Sequence, residues 1–134
     1  MPEVNFLKKY RNINIFDLMR YRLPLAGFVS ILHRISGALM FFLLPLILYF
    51  FELSLISEIA FSKLVMFLDL LFIKLIIIVL SWAFLHHFCA GVRHLIMDLH
   101  FWLTKAGSAL SAKFVFLFSV PLTVIVAIKL FGGF

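Results

Sequence analysis

The sequence predicts an all-α membrane protein with three transmembrane helices, and two observations carry that prediction. Of its 134 residues, 65% are hydrophobic and only 13% charged, and the mean hydropathy is +1.18. A soluble domain of ordinary composition is far less apolar. The apolar residues also gather into three long, unbroken runs, and a bilayer core takes roughly 20 such residues per helical span. A transmembrane β-barrel does not fit, because its strands would alternate in polarity over about ten residues.

The first span runs from about Leu25 to Phe51 and includes ALMFFLLPLILYFF. Pro24 stands just before it, where the missing N–H of proline costs a helix nothing. The second span, about 71–97, lies within a longer helical stretch expected from about Lys63 to Asp98, with LFIKLIIIVLSWAFL as its most apolar part. The third, about 114–131, is flanked by Lys113 and Lys129, each placed to snorkel to an interface. Pro45 and Pro121 are expected to kink their spans. The first run starts too late and is too long for a cleaved signal peptide, so all three spans are expected in the mature chain. No internal repeat, Ser/Gly linker or second domain is evident.

Basic residues set the expected orientation. Lys8, Lys9, Arg11, Arg20 and Arg22 precede span one, and Lys105, Lys113 and, at its border, Arg93 mark the link between spans two and three. The other link sets Glu52, Glu58 and Asp69 against Lys63 and Lys74. The positive-inside rule then puts the N-terminus in the cytoplasm and the C-terminus on the opposite side. The pI near 9.8 follows from this topology and from anionic lipid as a partner; no nucleic-acid partner is indicated. Cys89 is the only cysteine, so it allows neither an internal disulfide nor a cysteine metal site; it reads as a small apolar helix residue.

Polar residues inside the spans are the functional signal, because an unsatisfied polar group in hydrocarbon costs several kcal/mol. At about 100° per residue, positions three, four and seven apart share a helix face. Ser30, His33, Arg34 and Gly37 form such a stripe on span one, and His87, Gly91, His94 and Asp98 form another on span two. The two helices run antiparallel, so both stripes lie at similar depth and are able to face one pocket. Arg93 and Asp98 read as border charges, and His86, about 100° off the stripe, as a packing residue. Gly91, between two stripe histidines, removes bulk where something broad would approach.

Haem is the natural candidate, since imidazole is a common axial ligand. His87 and His94 are seven residues apart, roughly 10 Å along a helix, so they cannot both bind one zinc or one iron. His87 is the deeper and has Gly91 one turn away, which favours it as the iron ligand. His94 then lies at a distance suited to a haem propionate, and Arg34 suits a carboxylate. The second axial ligand comes either from His33 or from another chain; the residues alone leave this open.

The runs SILHRISG (Ser30 to Gly37) and HHFCAGVRHLIMD (His86 to Asp98) resemble the cytochrome b membrane-anchor subunit of bacterial succinate dehydrogenase, complex II. The resemblance extends over nearly the whole chain, including RYRLPLAG before span one; YRNINIFDLMR departs from it, where many relatives have an Arg-Pro pair. It implies one membrane-anchor domain over 1–134, with residues 1–24 as a cytoplasmic N-terminal segment. It also implies a larger heteromeric helical bundle in the bacterial inner membrane, with the C-terminus periplasmic.

The partners implied are a flavoprotein subunit that oxidises succinate, an iron-sulfur subunit and a second hydrophobic anchor subunit. The cofactor implied is a haem b shared with that second anchor, and the substrate ubiquinone or menaquinone. The resemblance assigns an axial ligand role to His87 and a quinone site to Ser30 and Arg34. It sets His33 and His94 near the haem propionates. These residue types suit quinone reduction, where preorganised donors stabilise charge developing on a quinone oxygen; His94 and Asp98 are candidates for proton delivery. Two rival readings are a self-contained cytochrome b ligated by His33 and His87, and a cofactor-free structural anchor whose polar stripes only join helices.

Overall fold

The computed structural model describes residue 16 and residues 22–132. The expected N-terminal segment with Lys8, Lys9, Arg11 and Arg20 therefore lies outside the described residues, as do residues 133–134. Among the described residues from 22 onward, four helices follow in order: α1 (Leu25–Ile56), α2 (Glu58–Leu68), α3 (Leu71–Asp98) and α4 (Lys105–Gly132). Among the described residues there is no strand. α1, α3 and α4 are each long and apolar enough to cross a membrane, which is the expected three-span architecture.

The helix ends show how the chain organises itself. Pro24 sits at the α1 N-cap, and its carbonyl accepts from the amides of Gly27 and Phe28. α1 runs past the expected span to Ile56 and stops where Ser57 becomes extended; the Ser57 hydroxyl then caps α2 by accepting from Ala60 N. Pro45 and Pro121 both lie inside unbroken helices.

The single helix expected from Lys63 to Asp98 is divided. α2 ends at Leu68, Leu70 is extended, and α3 begins at Leu71. Asp69 lies in the break, its carboxylate paired with Lys74 of the first turns of α3. An anion just ahead of a helix N-terminus favours a new start there. α4 begins at Lys105, nine residues ahead of the expected span, because Thr104 Oγ1 accepts from Gly107 N and caps it. The true link is 99–104, with His100 (φ 65°) and Trp102 (φ 57°) in left-handed backbone.

α3 packs against both α4 and α1, and α1 also touches α4 and α2. The contact surface is built from small side chains: Val29, Ala90, Ala112 and Val115 form the buried cluster, with Ala26, Cys89 and Phe116 against it. Lipid is as apolar as the interface, so helices associate here by close approach rather than by hydrophobic exclusion. Large residues such as Phe41, Phe42 and Phe72 point outward.

Candidate functional site

The start of α1 meets the end of α3, and the two polar stripes meet there. The His33 and His87 rings stack with centroids 4.1 Å apart at 15°, and the His94 ring also contacts His33, 5.1 Å away at 47°. Three imidazoles from two helices thus form one cluster, as the helical spacing predicts. Arg93, Asp98 and Arg34 are the charged groups that act on the His94 ring. Ser30 is half-buried and Arg34 exposed, and neither side chain has a hydrogen-bond partner among the described residues.

His87 is held by its Nδ1 atom. That nitrogen stands 3.0 Å from the His33 carbonyl oxygen and 3.2 Å from Ser36 Oγ, while Ser36 Oγ donates to the same carbonyl at 3.0 Å. A carbonyl only accepts, so Nδ1 carries a proton, and in the neutral ring the lone pair is then on Nε2. Nε2 makes no hydrogen bond among the described residues. A neutral histidine anchored through Nδ1–H to a carbonyl, with Nε2 free, is the state of a metal-ligating imidazole.

The two glycines of the stripes have different surroundings. A Cβ on Gly37 would lie 2.9 Å from His87 Cε1 and 3.4 Å from its Nδ1, so only glycine lets the ring seat against α1. A Cβ on Gly91 would meet only His33 Nε2, at 3.5 Å, an ordinary contact. Gly91 therefore lies against His33 without the tight fit found at Gly37, and an alanine there would be accommodated by the protein.

The sequence reading missed Ser36 and placed Arg93 differently. Ser36, 5% exposed, joins α1 to His87; its signal is a small hydroxyl three residues after His33, beside Gly37. Arg93, expected as a border charge, is instead buried at 4% exposure. Its Nε donates to Ser111 Oγ at 2.9 Å, and its Nη2 to Ser108 Oγ at 3.1 Å and Ser108 O at 3.4 Å. Buried Ser111 and half-buried Ser108, three apart on the neighbouring α4, supply the acceptors that let the guanidinium turn inward. Asp98 does remain exposed at the border. His86 is a packing residue, 1% exposed between Trp82 and Phe116.

Arg93→Ala is expected to loosen α3 from α4. Inter-helical hydrogen bonds in membranes are worth about 0.6 to 1.7 kcal/mol each, so a loss of about 2 kcal/mol is expected. It is read as a lower unfolding temperature of the detergent-solubilised protein, with the imidazole cluster left in place.

Fold and site together define a polytopic, all-helical membrane subunit with an imidazole cluster at one end of its bundle. Residues 8–126 match the model of the succinate dehydrogenase/fumarate reductase transmembrane subunit family, and the chain belongs to that family. The succinate dehydrogenase cytochrome b556 subunit of Coxiella burnetii is 37% identical over 110 residues, covering 81% of this chain and 87% of the relative. Those of Rickettsia felis and Rickettsia bellii are 30% and 33% identical over 79 residues, 59% of this chain and 60% and 61% of those relatives. The chain is thus a cytochrome b type membrane subunit of the succinate dehydrogenase class.

Proposed function

We propose that this chain gives His87 as one axial ligand to a b-type haem shared with a second hydrophobic anchor subunit, and that Ser30 and Arg34 form its part of a quinone-reduction site. In this reading it anchors the flavoprotein and iron-sulfur subunits to a bacterial inner membrane, N-terminus in the cytoplasm and C-terminus in the periplasm. Electrons from succinate pass through those subunits to ubiquinone or menaquinone.

The observation that carries the haem reading is the His87 anchorage: Nδ1–H on the His33 carbonyl, Nε2 unengaged. A bound haem supplies one-electron redox chemistry at that position. His33 and His94 offer ring N–H groups, and Arg34 a guanidinium, for the carboxylates at the edge of the macrocycle. His33 is poorly disposed to be the opposite ligand. Two imidazoles on opposite sides of one metal, each bonded at about 2 Å, have ring centres about 6 Å apart, whereas these two rings stack at 4.1 Å. That supports a ligand from a second chain over the self-contained cytochrome.

On the quinone side, Ser30 is suited to donate to a carbonyl oxygen, and Arg34 holds a fixed charge that favours the electron-rich head group as it is reduced. Losing a charged donor costs about 1.5–3 kcal/mol. Arg34→Ala is therefore expected to lower succinate:quinone reductase activity of the whole complex by at least about tenfold, and Ser30→Ala by about fivefold at about 1 kcal/mol. Succinate oxidation with a soluble acceptor that bypasses the anchors stays unchanged in both. Full quinone reductase activity in both variants would remove these residues from the site.

A further inference from the structure

We propose that Ser36 is a positioning residue for His87, giving its Nδ1–H a second acceptor and so setting the electron-donating strength of Nε2. This deepens the haem reading and rests on it. A serine within a helix commonly returns its hydroxyl proton to a carbonyl three or four residues back. Here that carbonyl is His33's, the same one that faces His87: Ser36 Oγ to His33 O is 3.0 Å, His87 Nδ1 to His33 O is 3.0 Å, and Ser36 Oγ to His87 Nδ1 is 3.2 Å.

Three polar atoms thus form a closed triangle, with two hydrogens to share. The carbonyl can only accept, so an unprotonated Nδ1 would set two lone pairs against each other at 3.0 Å. With Nδ1 protonated, the hydroxyl proton goes to the carbonyl, and the Oγ lone pair turns to Nδ1–H. One arrangement satisfies all three pairs. Ser36 is buried at 5% exposure, so water does not compete for the hydroxyl.

The consequence has a definite sign. Acceptors on the distal N–H of a ligating imidazole raise its basicity and fix its ring orientation. A more basic Nε2 favours the oxidised metal and lowers its potential. Removing Oγ takes away one of two acceptors, so the potential rises.

The test uses the intact complex purified from membranes, carrying Ser36→Ala, Ser36→Thr or His87→Ala, with haem content, midpoint potential and the low-spin electron paramagnetic resonance spectrum as readouts. Ser36→Ala is expected to keep haem near the wild-type level, raise its potential and alter the low-spin spectrum. Ser36→Thr retains a hydroxyl able to bond the same carbonyl and is expected to restore both. If Ser36→Ala loses haem outright, wild-type potential in Ser36→Thr still supports the role, and loss in both variants overturns it. An unchanged or lowered potential in a fully loaded Ser36→Ala complex also overturns it, leaving His87 untouched. Haem retained in His87→Ala overturns the underlying reading instead.

Discussion

Replacing His87 with alanine is expected to remove the low-spin b-type spectrum from the purified complex. Outer partners of a metal ligand are typically worth about 10–100-fold in affinity, and loss of the ligand itself exceeds that. His86 is enclosed between Trp82 and Phe116 on another face of α3, and the His94 ring packs against His33. The measurement is a reduced-minus-oxidised difference spectrum with haem quantified against flavin. His33→Ala is the companion: it removes a stacked neighbour and is expected to leave a six-coordinate, low-spin spectrum. If His33→Ala abolished the spectrum and His87→Ala kept it, the two roles would be exchanged.

Gly37→Ala is expected to damage the site while changing global stability little. Alanine is the better helix former by about 1 kcal/mol, and local overpacking costs about 1–3 kcal/mol, so the helix gain offsets part of the cost and leaves about 0–2 kcal/mol. The geometry at the site has no such compensation. The new Cβ would lie 2.9 Å from His87 Cε1, and the ring must turn, breaking its bond to the His33 carbonyl, or α3 must move away from α1. Haem content is expected to fall severalfold, with an unfolding temperature close to wild type. Gly91→Ala is the control, since its Cβ meets only His33 Nε2 at 3.5 Å. Protein packing tolerates it, so any haem loss in that variant reports contact with the cofactor itself. A Gly37→Ala complex with full haem content and an unshifted spectrum would show that the close approach is dispensable.

Much of the site was legible because the chain is helical throughout its spans. Once Leu25 to Phe51 and 71–97 are helices, the positions of Ser30, His33, Arg34 and Gly37, and of His87, Gly91 and His94, follow from a period near 3.6. The stacking of His33 on His87 agrees with that inference. The division of labour between the glycines was not legible. Gly37 and Gly91 occupy equivalent places in their stripes, yet only Gly37 admits the His87 ring. Arg93 shows the same limit from the other side. Its place near a helix end suggested a border charge, and its burial depends on Ser108 and Ser111 of another helix. The division at Asp69 was likewise hidden, since the helical pattern of Lys63 to Asp98 has no proline or glycine before Gly91.

What the sequence determined by itself was the number of spans, the helical class and the residues that share a face. Hydropathy and helical periodicity are local, and a bilayer leaves the backbone of an apolar run no alternative to satisfying its own hydrogen bonds. What only the tertiary structure decided was the rotation and depth of each helix against the next. Those set which nitrogen of His87 is anchored, which glycine is essential and which cation is buried. They depend on pairs of residues as far apart in the chain as Ser36 and His87, and no local pattern encodes such a distance.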